Sequence, residues 1–459
     1  MSRKSKKKYE IDMCSGSVLK KLLLFAVPLM FSSMLQLLFN AADIVIVGRF
    51  AGDNSLAAVG SNTALIGLMT NLFVGLSVGV NVLAARLYGA GEKEELNRAV
   101  HTAMLLSMIS GVLLTVIGIF MAKKILIWMH APEDVLELAA VYLRTYFFGM
   151  PAMMIYNFGS AVLRAVGDTK RPLYYLSAAG LINLLLNMLF VIVLHLDVFG
   201  VGLATVISQS IAAFLMVHCL LKEEGVLKLT PGNLRLDKKE LLHILRVGIP
   251  AGVQNILYDM SNVVVQASIN IFGAVVVAAN SAAESIENFV LFGMMAFSQV
   301  ILSFVGQNIG RGEMKRIGRG VLVGILCSVG AGLLLGGGVL IFGEQLLGLY
   351  TSSDDVVREG MIRLQLILLA YPLCGALDGL VSAMRGMGQA FIPTGITLLG
   401  VCGLRLIWMA TVFQTAAFHR VETIYVVYPI SWLVTLCAQF ICFIVIKRKV
   451  TKVFAEANI

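Results

Sequence analysis

Charge is scarce in this sequence. Only 14% of its 459 residues are Asp, Glu, Lys or Arg, against roughly 25% in a soluble chain, so water is not the main solvent of most of the chain. Catalytic motifs are missing as well. The six histidines (His101, His130, His195, His218, His243, His419) show no HExxH spacing, and neither GxSxG nor a GxxxxGK[ST] phosphate loop occurs. These absences exclude zincin, serine-hydrolase and P-loop chemistry and argue against an enzyme. The seven cysteines (Cys14, Cys219, Cys327, Cys374, Cys402, Cys437, Cys442) have no CxxC or metal spacing and read as small apolar residues. The ~10-residue alternation of a membrane β-barrel is also absent.

What the sequence has is apolar length. Residues 22–39, 104–121 and 321–342 are typical of runs near the ~20 residues that a helix needs to cross the hydrocarbon core. The pattern predicts an all-α integral membrane protein with about twelve spans, near residues 22–47, 56–88, 99–128, 138–163, 172–195, 199–221, 241–271, 275–308, 317–349, 361–385, 392–416 and 423–446. The net charge of +9 follows this topology: 28 of the 36 Lys and Arg lie on the side of the N-terminus, 7 lie opposite, and Arg405 falls within a span. By the positive-inside rule both termini are expected in the cytoplasm of a multi-pass plasma-membrane protein. The basic excess is then an orientation signal and not a nucleic-acid footprint. Arg3 to Lys8 resembles the charged start of a signal peptide, but the following run is longer than a signal core and many more spans follow.

The chain repeats itself once. At an offset of 222, Pro28 meets Pro250 and Asn40 meets Asn262; at 221, Gly91 meets Gly312, Pro151 meets Pro372, Arg164 meets Arg385 and Gly167 meets Gly388. Each half holds six spans, so the halves share an orientation and are related by a pseudo-two-fold axis along the membrane normal. The expected organisation is a cytoplasmic segment (1–21), an N-terminal six-helix lobe (22–221), a flexible cytoplasmic linker (222–240) carrying Pro231-Gly232-Asn233, a C-terminal six-helix lobe (241–446) and a cytoplasmic tail (447–459). Two like bundles on a link can rock and expose a cleft to alternate sides, which is a transporter's motion. With no nucleotide motif, an ion gradient is the expected energy source.

An ion-driven carrier needs an intramembrane group to bind the ion, and acids there are expensive and few. Asp43 lies about four residues inside the outer end of the first span, with Gln36 and Asn40 preceding it on the same face. Asn183 and Asn187 on the fifth span and Thr205 on the sixth fall at comparable depth. One carboxylate, two amides and a hydroxyl can cradle a proton or a small hard cation. Each residue also has a plainer reading: the Asp facing headgroups, the Asn bonding a neighbouring helix, the Thr bonding its own backbone. In the second half, Glu284 and Glu287 share a face of the eighth span, with Asp259 at similar depth and Asp378 on the tenth. These acids form either a second anionic site in the substrate cavity or groups paired within the bundle, for instance by Arg405.

These residues, together with Gly89-Ala90-Gly91-Glu92, the segment from Leu163 to Thr169, the segment from Gly200 to Thr205 with Gln209, Gln307-Asn308-Ile309-Gly310, the segment from Met384 to Gly388 and Tyr428-Pro429-Ile430-Ser431-Trp432, closely resemble the multidrug and toxic compound extrusion (MATE) family. Within it they resemble the DinF-like branch, over nearly the full length. The resemblance implies a twelve-helix, two-lobe antiporter that expels cationic or amphipathic organic compounds while admitting protons or sodium ions. It implies coupling at Asp43 with Asn183, Asn187 and Thr205, and no cofactor or metal beyond the transported ion, a sodium ion at Asp43 included. Where some relatives carry a second acid on the fifth span, this chain has Asn187, which leaves one ionisable proton. The expected partners are a small organic substrate and membrane lipid, with the monomer as the working unit. A flippase or exporter of a lipid-linked or other amphiphilic metabolite is the alternative; it calls for a cationic cavity, whereas the intramembrane charges read as mostly acidic. A channel-like module is the third reading.

Overall fold

The computed structural model describes residues 9–129 and 132–457, so the basic run from Arg3 to Lys8 lies outside the described residues. These residues are almost entirely helical and contain no strand. In order they form α1 (Val18–Phe50), α2 (Asp53–Ala90), α3 (Lys93–Trp128), α4 (Glu133–Phe148), α5 (Met150–Ala165), α6 (Lys170–Asn187), which continues as a π-helical turn (Met188–Val193), and α7 (Asp197–Lys222). After the central segment come α8 (Lys238–Asn270), α9 (Ala274–Arg311), α10 (Met314–Ile341), α11 (Gly343–Gly348), α12 (Asp354–Leu368), α13 (Tyr371–Gly386), α14 (Phe391–Thr397), a second π-helical turn (Leu398–Gly403), α15 (Leu404–Ala410) and α16 (Val421–Ala457).

Nine of the described helical stretches are long and apolar enough to cross a membrane, and two bent pairs raise the number to eleven. The pairs are α4 with α5, bent by 47°, and α12 with α13, bent by 44°. Both bends fall just before a proline, Pro151 and Pro372, whose ring blocks the preceding turn and which sits where a helix start has no N–H to bond. Helix α8 is not among the eleven. At 33 residues it is about 50 Å long, but charged residues at its start and Gln254, Asn255, Asp259 and Asn262 farther on keep it from registering as apolar.

The repeat is written into the backbone. Helix α2 spans residues 53–90 and α9 spans 274–311; α5 spans 150–165 and α13 spans 371–386, each pair separated by 221. Matching glycines end them. Gly91 (φ 78°) and Gly312 (φ 76°) adopt the left-handed conformation that a side chain resists. Beside them the amides of Glu92 and Glu313 reach back to the carbonyls of Leu87 (3.1 Å) and Asn308 (2.9 Å), which are the bonds of a Schellman stop. Gly167 and Gly388 end α5 and α13 in the same way.

The chain divides into two compact units, residues 1–12 with 31–252, and residues 13–30 with 253–459. Relative to the six-and-six partition of the sequence, the first parts of α1 and α8 change sides, and both changes fall two residues beyond the matched Pro28 and Pro250. In the first unit, glycines let α8 lie backbone to backbone on α2: a Cβ on Gly75 would meet Gly252 at 2.3 Å, and one on Gly79 would meet the Ile244 carbonyl at 2.2 Å. Such small-residue contacts replace hydrophobic burial as the packing force in lipid. In the second unit, α10 lies on α9 with Gly320 against the Phe304 ring, and the segment before α1 is held by Arg316, whose guanidinium donates to the carbonyls of Met13, Ser15 and Gly16.

The segment between α7 and α8, read from sequence as a flexible link, is docked on the first unit. Asn97 donates to the carbonyls of Val226 and Lys228, both at 3.0 Å, the Thr230 amide donates to His101 Nε2 at 3.0 Å, and the Asp237 amide donates to Thr102 at 3.1 Å. Leu227 and Leu229 are buried beneath it. These two apolar residues among polar ones anchor the segment.

Candidate ion-coupling site

The first unit gathers all four residues singled out on α1, α6 and α7. Asp43 stands seven residues before the end of α1. Its Oδ1 accepts from Asn187 Nδ2 at 2.5 Å. The same amide donates to Asn183 Oδ1 at 3.2 Å, Asn183 Nδ2 points to Thr205 Oγ1 at 3.5 Å, and Thr205 donates to the Val201 carbonyl at 3.0 Å. A chain of polar groups thus runs from one carboxylate across three helices. Asn187 and Asn183 are buried, and Asp43 and Thr205 are half-buried.

Local packing holds these helices in place. One turn from the site, the Phe39 ring of α1 occupies the space that a side chain at Gly180 of α6 would take, with a Cβ there only 1.8 Å from the ring. Asn187 is the last α-helical residue before the π turn. A π turn inserts extra backbone and re-aims the side chains beside it, and such turns concentrate at functional sites.

Asp43 has no lysine or arginine within 4.0 Å among the described residues. An ionised carboxylate in a membrane is costly without compensation, and the one amide donor, Asn187, supplies only part of it. The site can therefore take up a proton on Asp43 or a small cation among its oxygens. Asn187 Oδ1 is buried and accepts no hydrogen bond from the described residues, so one oxygen ligand is uncommitted. Among the described residues no group of three or more His, Cys, Asp or Glu is placed to hold a metal ion. Gln36 and Asn40 are exposed on α1 and do not join the chain.

The second-unit acids do not assemble into a comparable site. Glu287 is buried and clasped by Arg363, whose Nε and Nη2 donate to its two oxygens at 3.0 and 2.8 Å. Arg363 also donates to Asn280, Asn280 to Gln266 (2.8 Å), and Gln266 to Asn270 (2.9 Å). Its guanidinium lies 5.6 Å from the Tyr425 ring centre. The partner of Glu287 within the bundle is Arg363, not Arg405. Glu284 is exposed, Asp259 is half-buried on α8, and Asp378 sits beside Cys374 on α13 at 3.8 Å.

Duplicated helical bundles with a polar chain inside the first copy define a two-unit membrane protein of transporter type. The chain belongs to the MatE family, whose model matches residues 28–189 and again residues 250–411. The two matches lie 222 residues apart, the offset of the internal repeat. The sequence is 29% identical over 430 residues to the probable multidrug resistance protein YoeA of Bacillus subtilis (strain 168), covering 92% of each chain. It is 23% identical over 424 residues to the FAD transporter of Shewanella oneidensis, covering 91% of this chain and 92% of that protein. Its fold is similar to the solved outward-facing conformation of a multidrug resistance MATE family transporter, with a TM-score of 0.91, 21% identity, and coverage of 97% of this chain and 100% of the other.

Proposed function

We propose that this chain is a DinF-like antiporter of the plasma membrane, with both termini cytoplasmic. It exports cationic or amphipathic organic compounds in exchange for protons or sodium ions by alternating access of its two lobes. The observation that carries the reading is the chain from Asp43 through Asn187 and Asn183 to Thr205, which contains one carboxylate and no cation. An ionised Asp43 can only accept, so Asn187 turns its amide N–H toward it. A proton on Asp43 reverses that polarity, and a sodium ion would draw the amide oxygens inward; either event repacks α6 beside its π turn. Ion-loaded and ion-free states then differ in the outer half of the first lobe, and substrate leaves on ion entry. The protein works as a monomer with no cofactor besides the transported ion.

A wider cargo range, reaching to amphiphilic metabolites, finds support in the likeness to a protein named for a flavin dinucleotide. Efflux of ethidium from vesicles, with the pH and sodium gradients imposed separately, tests the coupling. One of the two gradients is expected to drive efflux, and Asp43→Asn is expected to abolish it while the protein remains in the membrane. Full gradient-driven efflux by that variant would rule Asp43 out as the coupling group.

A further inference from the structure

The second unit contains a buried charge that the coupling scheme does not use. Arg405 on α15 is 2% exposed. Among the described residues no carboxylate lies within 4.0 Å of it. Its polar partners are the Ser431 hydroxyl, 3.3 Å from Nε, and the Asn262 amide oxygen, 3.4 Å from Nη1. Both are long beside the roughly 2.7–2.9 Å of a charge-assisted bond. The guanidinium rests on the Tyr428 ring at 4.0 Å and lies 5.8 Å from Trp432, and those two rings are themselves in edge contact at 5.7 Å. Aromatic faces stabilise a cation but do not neutralise it. Arg363 shows how this unit treats an arginine that serves structure alone: a bidentate carboxylate at 2.8 and 3.0 Å.

The position adds weight. Helices α8, α15 and α16 repeat α1, α6 and α7, the three that carry the Asp43 chain. Asn262 matches Asn40, and Arg405 matches Leu184, the neighbour of Asn183. The same three-helix location is therefore built twice with opposite charge. An intramembrane charge without a fixed partner marks a ligand or transport path, and a planar fork framed by aromatic rings and an amide suits an acid group attached to a ring.

We infer that Arg405, with Asn262, Tyr428 and Trp432, is a recognition site for the carboxylate or phosphate of an aromatic amphiphile. As a statement about cargo this rests on the exporter reading: Arg405 selects, among amphipathic substrates, those that carry an acid.

The test is equilibrium binding to the purified full-length chain of three probes on one ring system: 1-naphthoate, 1-naphthyl phosphate and 1-naphthylmethylammonium. At least one acid is expected to bind about tenfold or more tighter than the ammonium, and the tighter acid names the head group. Arg405→Met should remove that preference, a loss of about ten- to hundredfold, while Arg405→Lys should keep part of it. Asn262→Asp guards against misfolding of the Met variant: it supplies the missing carboxylate, so the chain should melt no lower than the parent yet lose the acid preference. Equal binding of acids and ammonium by the parent chain, or an unchanged preference in Arg405→Met or in folded Asn262→Asp, would overturn the proposal. Ethidium efflux distinguishes the two readings. Failure of efflux with acid binding intact removes the exporter reading, and intact efflux without acid binding removes this one.

Discussion

At one location in each half of the repeat, this protein places opposite chemistry. Helices α1, α6 and α7 hold a carboxylate bonded to an amide, and among the described residues no lysine or arginine lies within 4.0 Å of it; α8, α15 and α16 hold a guanidinium on aromatic rings, and among the described residues no carboxylate lies within that distance. Elsewhere in the two halves the ends of α2 and α9, the ends of α5 and α13, and the stop glycines agree to the residue at an offset of 221. Duplication preserved the groups that shape the backbone and left free the side chains that carry charge at these two places. Among the described residues neither exceptional charge has an ion-pair partner, whereas Glu287 and Arg363 neutralise each other. That pair is the control for the comparison, and the largest stability effect is expected there. Arg363→Met leaves a buried carboxylate behind and should cost about 3–5 kcal/mol. The double variant Arg363→Met with Glu287→Met should recover most of the loss. Thermal unfolding in detergent reads both; a single variant as stable as the double would mean that the pair is not a structural lock.

The next effect falls on the first unit. Among the described residues Asn187 is the one direct hydrogen-bond donor from α6 to Asp43, and a bond to a charged group contributes about 1.5–3 kcal/mol. Asn187→Ala should therefore slow ion-driven efflux by about ten- to hundredfold, whereas removal of the exposed Asn40 amide by Asn40→Ala should change it less than about threefold. Equal losses in the two variants would show that α1 is read as a polar face and not through a specific chain of bonds.

Much of this architecture is legible in the sequence. Apolar runs place the spans, because solvation by lipid acts on every residue of a span and adds up. Asp43 and its three partners are recoverable from depth alone, since helical rise converts residue number into distance. Other features are not. The π turn after Asn187 depends on how α6 packs, and no residue type marks it. Arg363 lies near the end of a predicted span, so a topology count assigns it to a loop. Its partner Glu287 is 76 residues away. The exchange of the first parts of α1 and α8 leaves no trace in hydropathy, because both sides of Pro28 are equally apolar. The docking of residues 222–240 rests on Leu227 and Leu229, too few to stand out in a polar stretch.

The smallest effects sharpen the comparison of the scaffolds. Gly91 and Gly312 are equivalent in conformation, and a Cβ on either would meet nothing within 4 Å. Alanine at each position pays only the left-handed strain, about 1–2 kcal/mol, so the two variants should lower the melting temperature equally. Gly167 and Gly388 share the same strain but not the same surroundings. A Cβ on Gly388 has open space, whereas one on Gly167 would lie 2.5 Å from the Ile11 backbone, held there by its amide bond to the Val166 carbonyl at 3.2 Å. Gly167→Ala must therefore displace residues around Ile11, and should destabilise more than Gly388→Ala. Deleting residues 1–12 should bring the two alanine variants level. If Gly167→Ala and Gly388→Ala already match in the full chain, the contact at Ile11 does not hold in the membrane, and the two scaffolds are more alike than their packing indicates.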